Sequence, residues 1–191
     1  MSTALLSSYK KDDALVSLAR ILSEFKWKIL ASAGTTKFLK ENGIEAQDVA
    51  ELVGPPILGH RVVTLSREIH AALLSSTPED FKELERLHIT PIDLVYVTLY
   101  PLEETIENAK SAPKDVIEKT DIGGPTLLSA GVKGRRIVLS SPEQIPTLES
   151  WFKKGSPESE REKMIEKFAV VALKRVADYS EKSAKYWEQR T

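Results

Sequence analysis

Apolar residues fall along this chain in two patterns. Short unbroken runs occur at Ala4-Leu5-Leu6, Lys28-Ile29-Leu30-Ala31, Pro91 to Leu99 and Arg136-Ile137-Val138-Leu139, and each predicts a β-strand. The run PIDLVYVTL is the clearest, because nearly every position is β-branched, aromatic or apolar, which predicts a parallel strand covered on both faces. Between these runs apolar residues recur at helical spacing. Leu15, Leu18, Ala19, Leu22 and Phe25 mark one helix. Lys37 to Lys40 belong to a second that stops at Gly43, and Leu102 to Ala109 to a third. DIGGPTLLSAG reads as a Gly-Pro turn opening a fourth. From Ser156 the tract SPESEREKMIEKFAVVALKRVADYSEKSAKYWEQ starts with a cap-like Ser-Pro-Glu and predicts one or two C-terminal helices. Strand and helix alternate, so an α/β sheet is expected. PTLESWFKKGSPES is the one plausible linker, and it is short. We therefore expect a single domain over residues 1–191, with an α/β core over 1–140 and a helical part over 141–191.

Composition narrows the classes of function. A chain of 191 residues with 41% apolar and 29% charged residues can bury a sizeable core. Its 27 Lys and Arg nearly balance 28 Asp and Glu, so no global field favours nucleic acid or an anionic membrane, and any anion site must be local. No run approaches the ~20 apolar residues of a spanning helix, and the start, MSTALLSSYKKDD, turns polar before a secretory segment could form. A soluble, cytoplasmic protein is expected. The absence of cysteine removes disulfides, thiolate nucleophiles and cysteine zinc sites. His60, His70 and His88 lack ligand-like spacing, so no metal site is expected, although carboxylates alone could hold Mg²⁺. Two Asn and three Gln beside abundant Lys and Glu match the balance of heat-adapted proteins.

Ligands of open parallel sheets bind beyond the carboxyl ends of the strands, and four polar loops follow the predicted strands. Ser7-Ser8-Tyr9-Lys10-Lys11 offers hydroxyls and ammonium groups. Ser32-Ala33-Gly34-Thr35-Thr36 precedes a helix, where free N–H groups and the helix dipole favour an anion. The same pentapeptide also reads as an ordinary helix cap. Leu99-Tyr100-Pro101 is the third loop, and Asp121-Ile122-Gly123-Gly124-Pro125-Thr126, with Lys133 further on, the fourth. A carboxylate, a phenol and an ammonium near one cleft suit proton transfer; equally, Asp121 reads as a helix N-cap and Lys133 as a solvated lysine. Tyr179, Tyr186 and Trp187 sit at helical spacing, which favours packing over stacking on a base.

The blocks LLSSYKKDDAL, LASAGTTKFL, LGHRVVTLSREIHAALL, PIDLVYVTLYPLEETI and TDIGGPTLLSAGVK, in this order, resemble the inosine monophosphate (IMP) cyclohydrolase domain of the bifunctional purine-biosynthesis enzyme. The resemblance runs from Leu5 to Leu139, and FAVVALKRVADYSEKSAKYW carries a weaker one. The transformylase half is missing, which implies a stand-alone domain. The first two blocks also look like methylglyoxal synthase and the regulatory domain of carbamoyl-phosphate synthetase; the Tyr100 and Asp121 blocks favour the cyclohydrolase. The fold implied is the three-layer methylglyoxal-synthase-like α/β domain, with a central, mainly parallel sheet and C-terminal helices.

By this resemblance Ser7 and Lys11 fall on the first phosphate loop, and Ser32, Gly34 and Thr35 on the second. Arg61 and Thr64 match an Arg-Val-Lys-Thr-Leu element, and Tyr100, Asp121, Gly123, Gly124 and Lys133 match the purine end. Val63 stands where the family has a catalytic lysine, and Ser66 where it has a histidine. The implied reaction closes the pyrimidine ring of a 5-formamidoimidazole-4-carboxamide ribonucleotide with loss of water and needs no cofactor. The implied roles are Asp121 accepting or orienting the amide N–H, Lys133 stabilising and protonating the departing oxygen, and Tyr100 positioning. With Val63 present, part of the oxyanion stabilisation falls to Lys133, Lys10, Arg67 or backbone N–H groups. The expected partners are a purine ribonucleotide and a second copy of the chain in a homodimer. A domain that only senses a phosphorylated metabolite, and a methylglyoxal synthase, are the alternatives.

Overall fold

Five parallel strands form one sheet in the order β3-β2-β1-β4-β5. In chain order the elements are β1 (Thr3–Ser8), α1 (Asp13–Glu24), β2 (Lys28–Ala31), α2 (Ala33–Glu41), β3 (Gln47–Asp48), α3 (Ala50–Val53), α4 (Arg67–Leu74), α5 (Pro78–Arg86), β4 (Leu94–Thr98), α6 (Leu102–Glu107), α7 (Pro113–Glu118), α8 (Gly123–Lys133), β5 (Ile137–Leu139), α9 (Ile145–Lys153) and α10 (Glu158–Glu188). The computed structural model describes residues 2–59, 61–108 and 110–190; His60 and the expected helix end at Ala109 lie outside them. Every strand pairing is parallel, for example Leu5 against Leu30 on one side and Val95 on the other.

The unbroken apolar runs are explained by burial on both faces. Ala4, Leu6, Ile29, Tyr96 and Leu139 face a core completed by α1, α9 and the first half of α10. Their neighbours Leu5, Leu30, Val95, Val97 and Val138 face a second core completed by α4 and α8. Helix, sheet and helix therefore make the three layers. The strand seen in PIDLVYVTL is shorter than the run, because Pro91 to Asp93 precede β4.

One expectation about the C-terminal part changes. The segment read as a linker is mostly α9, and its Leu148, Trp151 and Phe152 are buried; apolar residues at helical spacing anchor it against the first core. The C-terminal tract is one helix of 31 residues, roughly 46 Å at 1.5 Å per residue. That helix starts against the first core and passes Phe168 and Ala172 over the sheet edge. It delivers Tyr179 and Tyr186 to a small cluster with Leu102 and Val116, beside the loops that follow β4 and α7.

Candidate active site

A cleft of about 660 Å³ opens at the carboxyl ends of β1, β2 and β4, where Ser7, Ser32 and Thr98 line it. One end suits an anion. The N–H groups of Ala33 and Gly34 begin α2, and among the described residues they have no acceptor, as the first turn of a helix dictates. Lys11 reaches this point from the preceding loop: its Cε lies 3.8 Å from where a side chain on Gly34 would start. The Lys11 ammonium donates to the carbonyl of Ser8 and, at 3.4 Å, to that of Tyr9. Burial lowers its pKa from the ordinary lysine value, because little else compensates the desolvated charge. Thr64, from the loop before α4, also lines the cleft, its Oγ1 3.1 Å from where a side chain on Gly123 would start.

Hydroxyls hold the two loops together behind the cleft. Thr35 Oγ1 accepts from the Ser8 N–H at 3.2 Å and from Ser32 Oγ at 3.0 Å. Ser8 Oγ and Thr98 Oγ1 lie 2.7 Å apart, tying β1 to β4. Thr35 is fully buried and does not line the cleft. Its place among the expected anion contacts is therefore corrected: it fixes the spacing of the loops that make those contacts.

The opposite end of the cleft is built around Asp121. Its Oδ1 accepts from the Gly124 N–H at 2.8 Å, so Asp121 does cap α8, and it also lines the cleft. Capping the helix thus leaves the carboxylate at the cleft. Burial pushes its carboxyl above the ordinary range, against the opposing pull of N–H groups from Gly124, Tyr100 and Gly123. A side chain on Gly124 would start 2.5 Å from Asp121 Oδ2 and 2.6 Å from Leu99 Cδ2, so the tight turn requires glycine there. The Asp121 N–H donates to Tyr179 Oη at 2.7 Å, and that hydroxyl donates to the Lys119 carbonyl at 3.1 Å. Burial pushes the Tyr179 phenol up to about 12.

Tyr100 lines the cleft next to Asp121, its ring tilted against that of Tyr9 at 5.1 Å. Its phenol pKa is raised by burial first, then by Asp121, Glu118 and Tyr9. Arg61 reaches across the mouth to Glu118 at 2.8 Å. Val63 is half-buried, packing on the second core while exposing part of itself to the cleft. Ser66 caps α4, accepting from the Ile69 N–H at 3.1 Å.

Lys133 is a correction. It is the last residue of α8, whose first residues, Gly123 and Gly124, meet the cleft. Ten residues of helix separate the two ends, roughly 15 Å, and Lys133 is exposed on the far side. The other expected site residues, Ser7, Lys11, Ser32, Gly34, Arg61, Thr64, Tyr100, Asp121, Gly123 and Gly124, do line one cleft. Trp187 lines it too, although its spacing predicted packing. Tyr179 packs as expected, and in addition holds the Asp121 turn. Only the course of α10 reveals these two roles. Among the described residues no group of three or more His, Asp and Glu could hold a metal ion, and no helix is long and apolar enough to cross a membrane.

A parallel sheet with an anion-fitting loop pair at its carboxyl edge defines the class, and comparison with known proteins gives it a family. Residues 14–126 match the family model of the MGS-like domain, more than half of the chain, and the chain belongs to that family. Among its relatives, the bifunctional purine biosynthesis protein PurH of Trichodesmium erythraeum is 38% identical over 193 residues, which cover 98% of this chain and 37% of the relative. PurH of Thermosynechococcus vestitus is 45% identical over 150 residues, covering 75% of this chain and 29% of the relative. The chain thus spans well under half the length of these curated relatives. The crystal structure of ForH aligns with a TM-score of 0.80 at 28% identity, covering 97% of this chain and 98% of that one.

Proposed function

We propose that this domain is an IMP cyclohydrolase, which closes the purine ring of 5-formamidoimidazole-4-carboxamide ribonucleotide. The observation that carries this reading is a single cleft joining an anion-fitting end, at Lys11 and the start of α2, to a buried carboxylate and phenol at Asp121 and Tyr100. Its volume lies within the roughly 300–1,000 Å³ usual for small-molecule sites. Similarity to PurH proteins supports the purine assignment.

On this reading the 5′-phosphate sits against the Ala33 and Gly34 N–H groups, the Lys11 ammonium and the hydroxyls of Ser7, Ser32 and Thr64. The heterocycle then lies toward Tyr100 and Asp121, with Trp187 as an outer wall. Ring closure joins the carboxamide nitrogen to the formyl carbon. The formyl oxygen leaves as water, having gained one proton from the carboxamide nitrogen and one from the formamido nitrogen. An amide nitrogen is a poor nucleophile, so orientation and proton transfer carry the rate. Asp121 suits the proton-accepting role: burial raises its basicity toward the working pH, and the Gly124 and Tyr179 hydrogen bonds fix its direction. Tyr100 orients the ring from the adjacent strand end.

A metabolite sensor is the second reading, favoured by one observation: Val63 gives the cleft an apolar patch where the resemblance implies a cation. Turnover of the formamido ribonucleotide by wild type and Asp121→Asn separates the two. The enzyme reading predicts purine formation by wild type and a loss of about 100-fold or more in kcat for the variant. Equal, negligible turnover by both, with IMP still bound, supports the sensor.

A further inference from the structure

We infer that Lys119 is the catalytic cation of this site, placed to stabilise the charge that develops on the formyl oxygen during ring closure; the inference rests on the cyclohydrolase reading. Closing the ring turns the formyl carbonyl into an alkoxide-like oxygen before water leaves, and a preorganised positive charge there acts on the transition state alone.

The other cations that could take this role are committed elsewhere or lie outside the cleft, as does the exposed Lys10. Arg61 is paired with Glu118. Lys11 is folded onto the Ser8 carbonyl at the anion end. Arg67 is paired with Glu68 and lines a separate groove beside α5. Lys133 lies at the far end of α8. Lys119 is placed differently: it does not itself line the cleft, but Glu118 and Thr120 on either side of it do. Its ammonium stands over the rings of both Tyr9 and Tyr100, 5.5 Å and 5.8 Å from their centroids, and both rings line the cleft. Among the described residues no carboxylate pairs with it. A cation held on the face of two rings is held weakly, so it is free to move to a stronger acceptor.

The backbone fixes its position relative to Asp121. The Tyr179 hydroxyl donates to the Lys119 carbonyl and accepts from the Asp121 N–H. One hydroxyl therefore clamps both ends of the tripeptide Lys119-Thr120-Asp121, and Thr120 between them lines the cleft. Base and cation thus rise from one rigid turn, with Asp121 facing the carboxamide nitrogen and Lys119 the formyl oxygen. The oxygen accepts both protons lost by the two nitrogens and leaves as water, so the ammonium ends the cycle unchanged.

The test is steady-state turnover of the formamido ribonucleotide by wild type, Lys119→Ala, Lys119→Gln and Lys119→Arg, with IMP affinity measured alongside and folding checked by thermal melting. We expect alanine and glutamine to lower kcat about 100-fold while KM and IMP affinity change less than threefold. Arginine, which keeps the charge over the rings, should retain more activity than either and guards against a merely loosened tyrosine pair. Turnover of Lys119→Ala within threefold of an active wild type would overturn the assignment alone, as would a loss of IMP affinity matching the loss of kcat. A wild type without turnover would overturn the cyclohydrolase reading, and this assignment with it.

Discussion

A methyl group at position 124 tests the geometry of the Asp121 turn. In Gly124→Ala the new carbon would start 2.5 Å from Asp121 Oδ2 and 2.6 Å from Leu99 Cδ2. Ordinary contacts begin at 3.4 Å, so the carboxylate must retreat by about 0.9 Å or the turn must open. Either movement stretches the 2.8 Å bond from the Gly124 N–H to Asp121 Oδ1. Two effects oppose each other. Alanine gains up to about 1 kcal/mol over glycine in a helix. Overpacking costs about 1–3 kcal/mol, and a lost hydrogen bond to a charged group about 1.5–3 kcal/mol. The penalties win, leaving a net loss of roughly 1.5–6 kcal/mol. For a chain of this size that lowers the melting temperature by roughly 2–4 °C per kcal/mol. A displacement near 1 Å also costs about 100-fold in turnover. Thermal melting and a turnover assay on the same preparation measure both. An unchanged or higher melting temperature with kcat within threefold of wild type would refute the reasoning.

Three further substitutions probe other parts of the cleft. Burial lowers the Lys11 pKa, and a bound phosphate should restore it, so nucleotide binding takes up a proton at alkaline pH and weakens as pH rises through the lowered value. Calorimetry at alkaline pH in buffers of different ionisation enthalpy should show this uptake, and Lys11→Met should abolish it and weaken binding by about 1.5–3 kcal/mol; proton uptake persisting in the variant would remove Lys11 from the anion site. Burial raises the Asp121 pKa, so the folded state favours the protonated acid, and the stability this contributes is full below the ordinary carboxyl pKa and lost as pH rises through the raised value. Wild type should therefore lose melting temperature relative to Asp121→Asn as pH rises above the ordinary carboxyl range, whereas parallel curves would contradict the raised pKa. Thr35→Val leaves the buried Ser8 N–H without its acceptor and should cost about 1–3 kcal/mol of stability, read as a lower denaturant midpoint; an unchanged midpoint would mean that another group takes its place.

The sheet was legible because each strand is buried on both faces, which writes an unbroken apolar run into the sequence at Ala4 to Leu6 and Leu94 to Val97. The polar loops after those runs were legible for the same reason: where a buried strand ends, serines, threonines and lysines begin. Helix ends were less so. Asp121 and Lys133 are close in sequence, but α8 carries the second out of the site along its own axis. The segment 146–159 carries Lys, Ser and Pro around Gly155 and looks like a linker, yet Leu148, Trp151 and Phe152 supply enough apolar surface to dock α9. Trp187 and Tyr179 belong to a helix whose direction depends on which layer it covers, and spacing within one helix holds no record of that. Lys119 had no signal of its own, since its position matters only once Tyr9 and Tyr100 are brought together from two strands.

The most direct test of the central claim is to incubate the purified protein with 5-formamidoimidazole-4-carboxamide ribonucleotide and follow the appearance of purine absorbance. The account predicts saturable conversion to IMP well above the uncatalysed rate, with no added cofactor. Conversion no faster than in buffer, by a folded protein that still binds IMP, would contradict it.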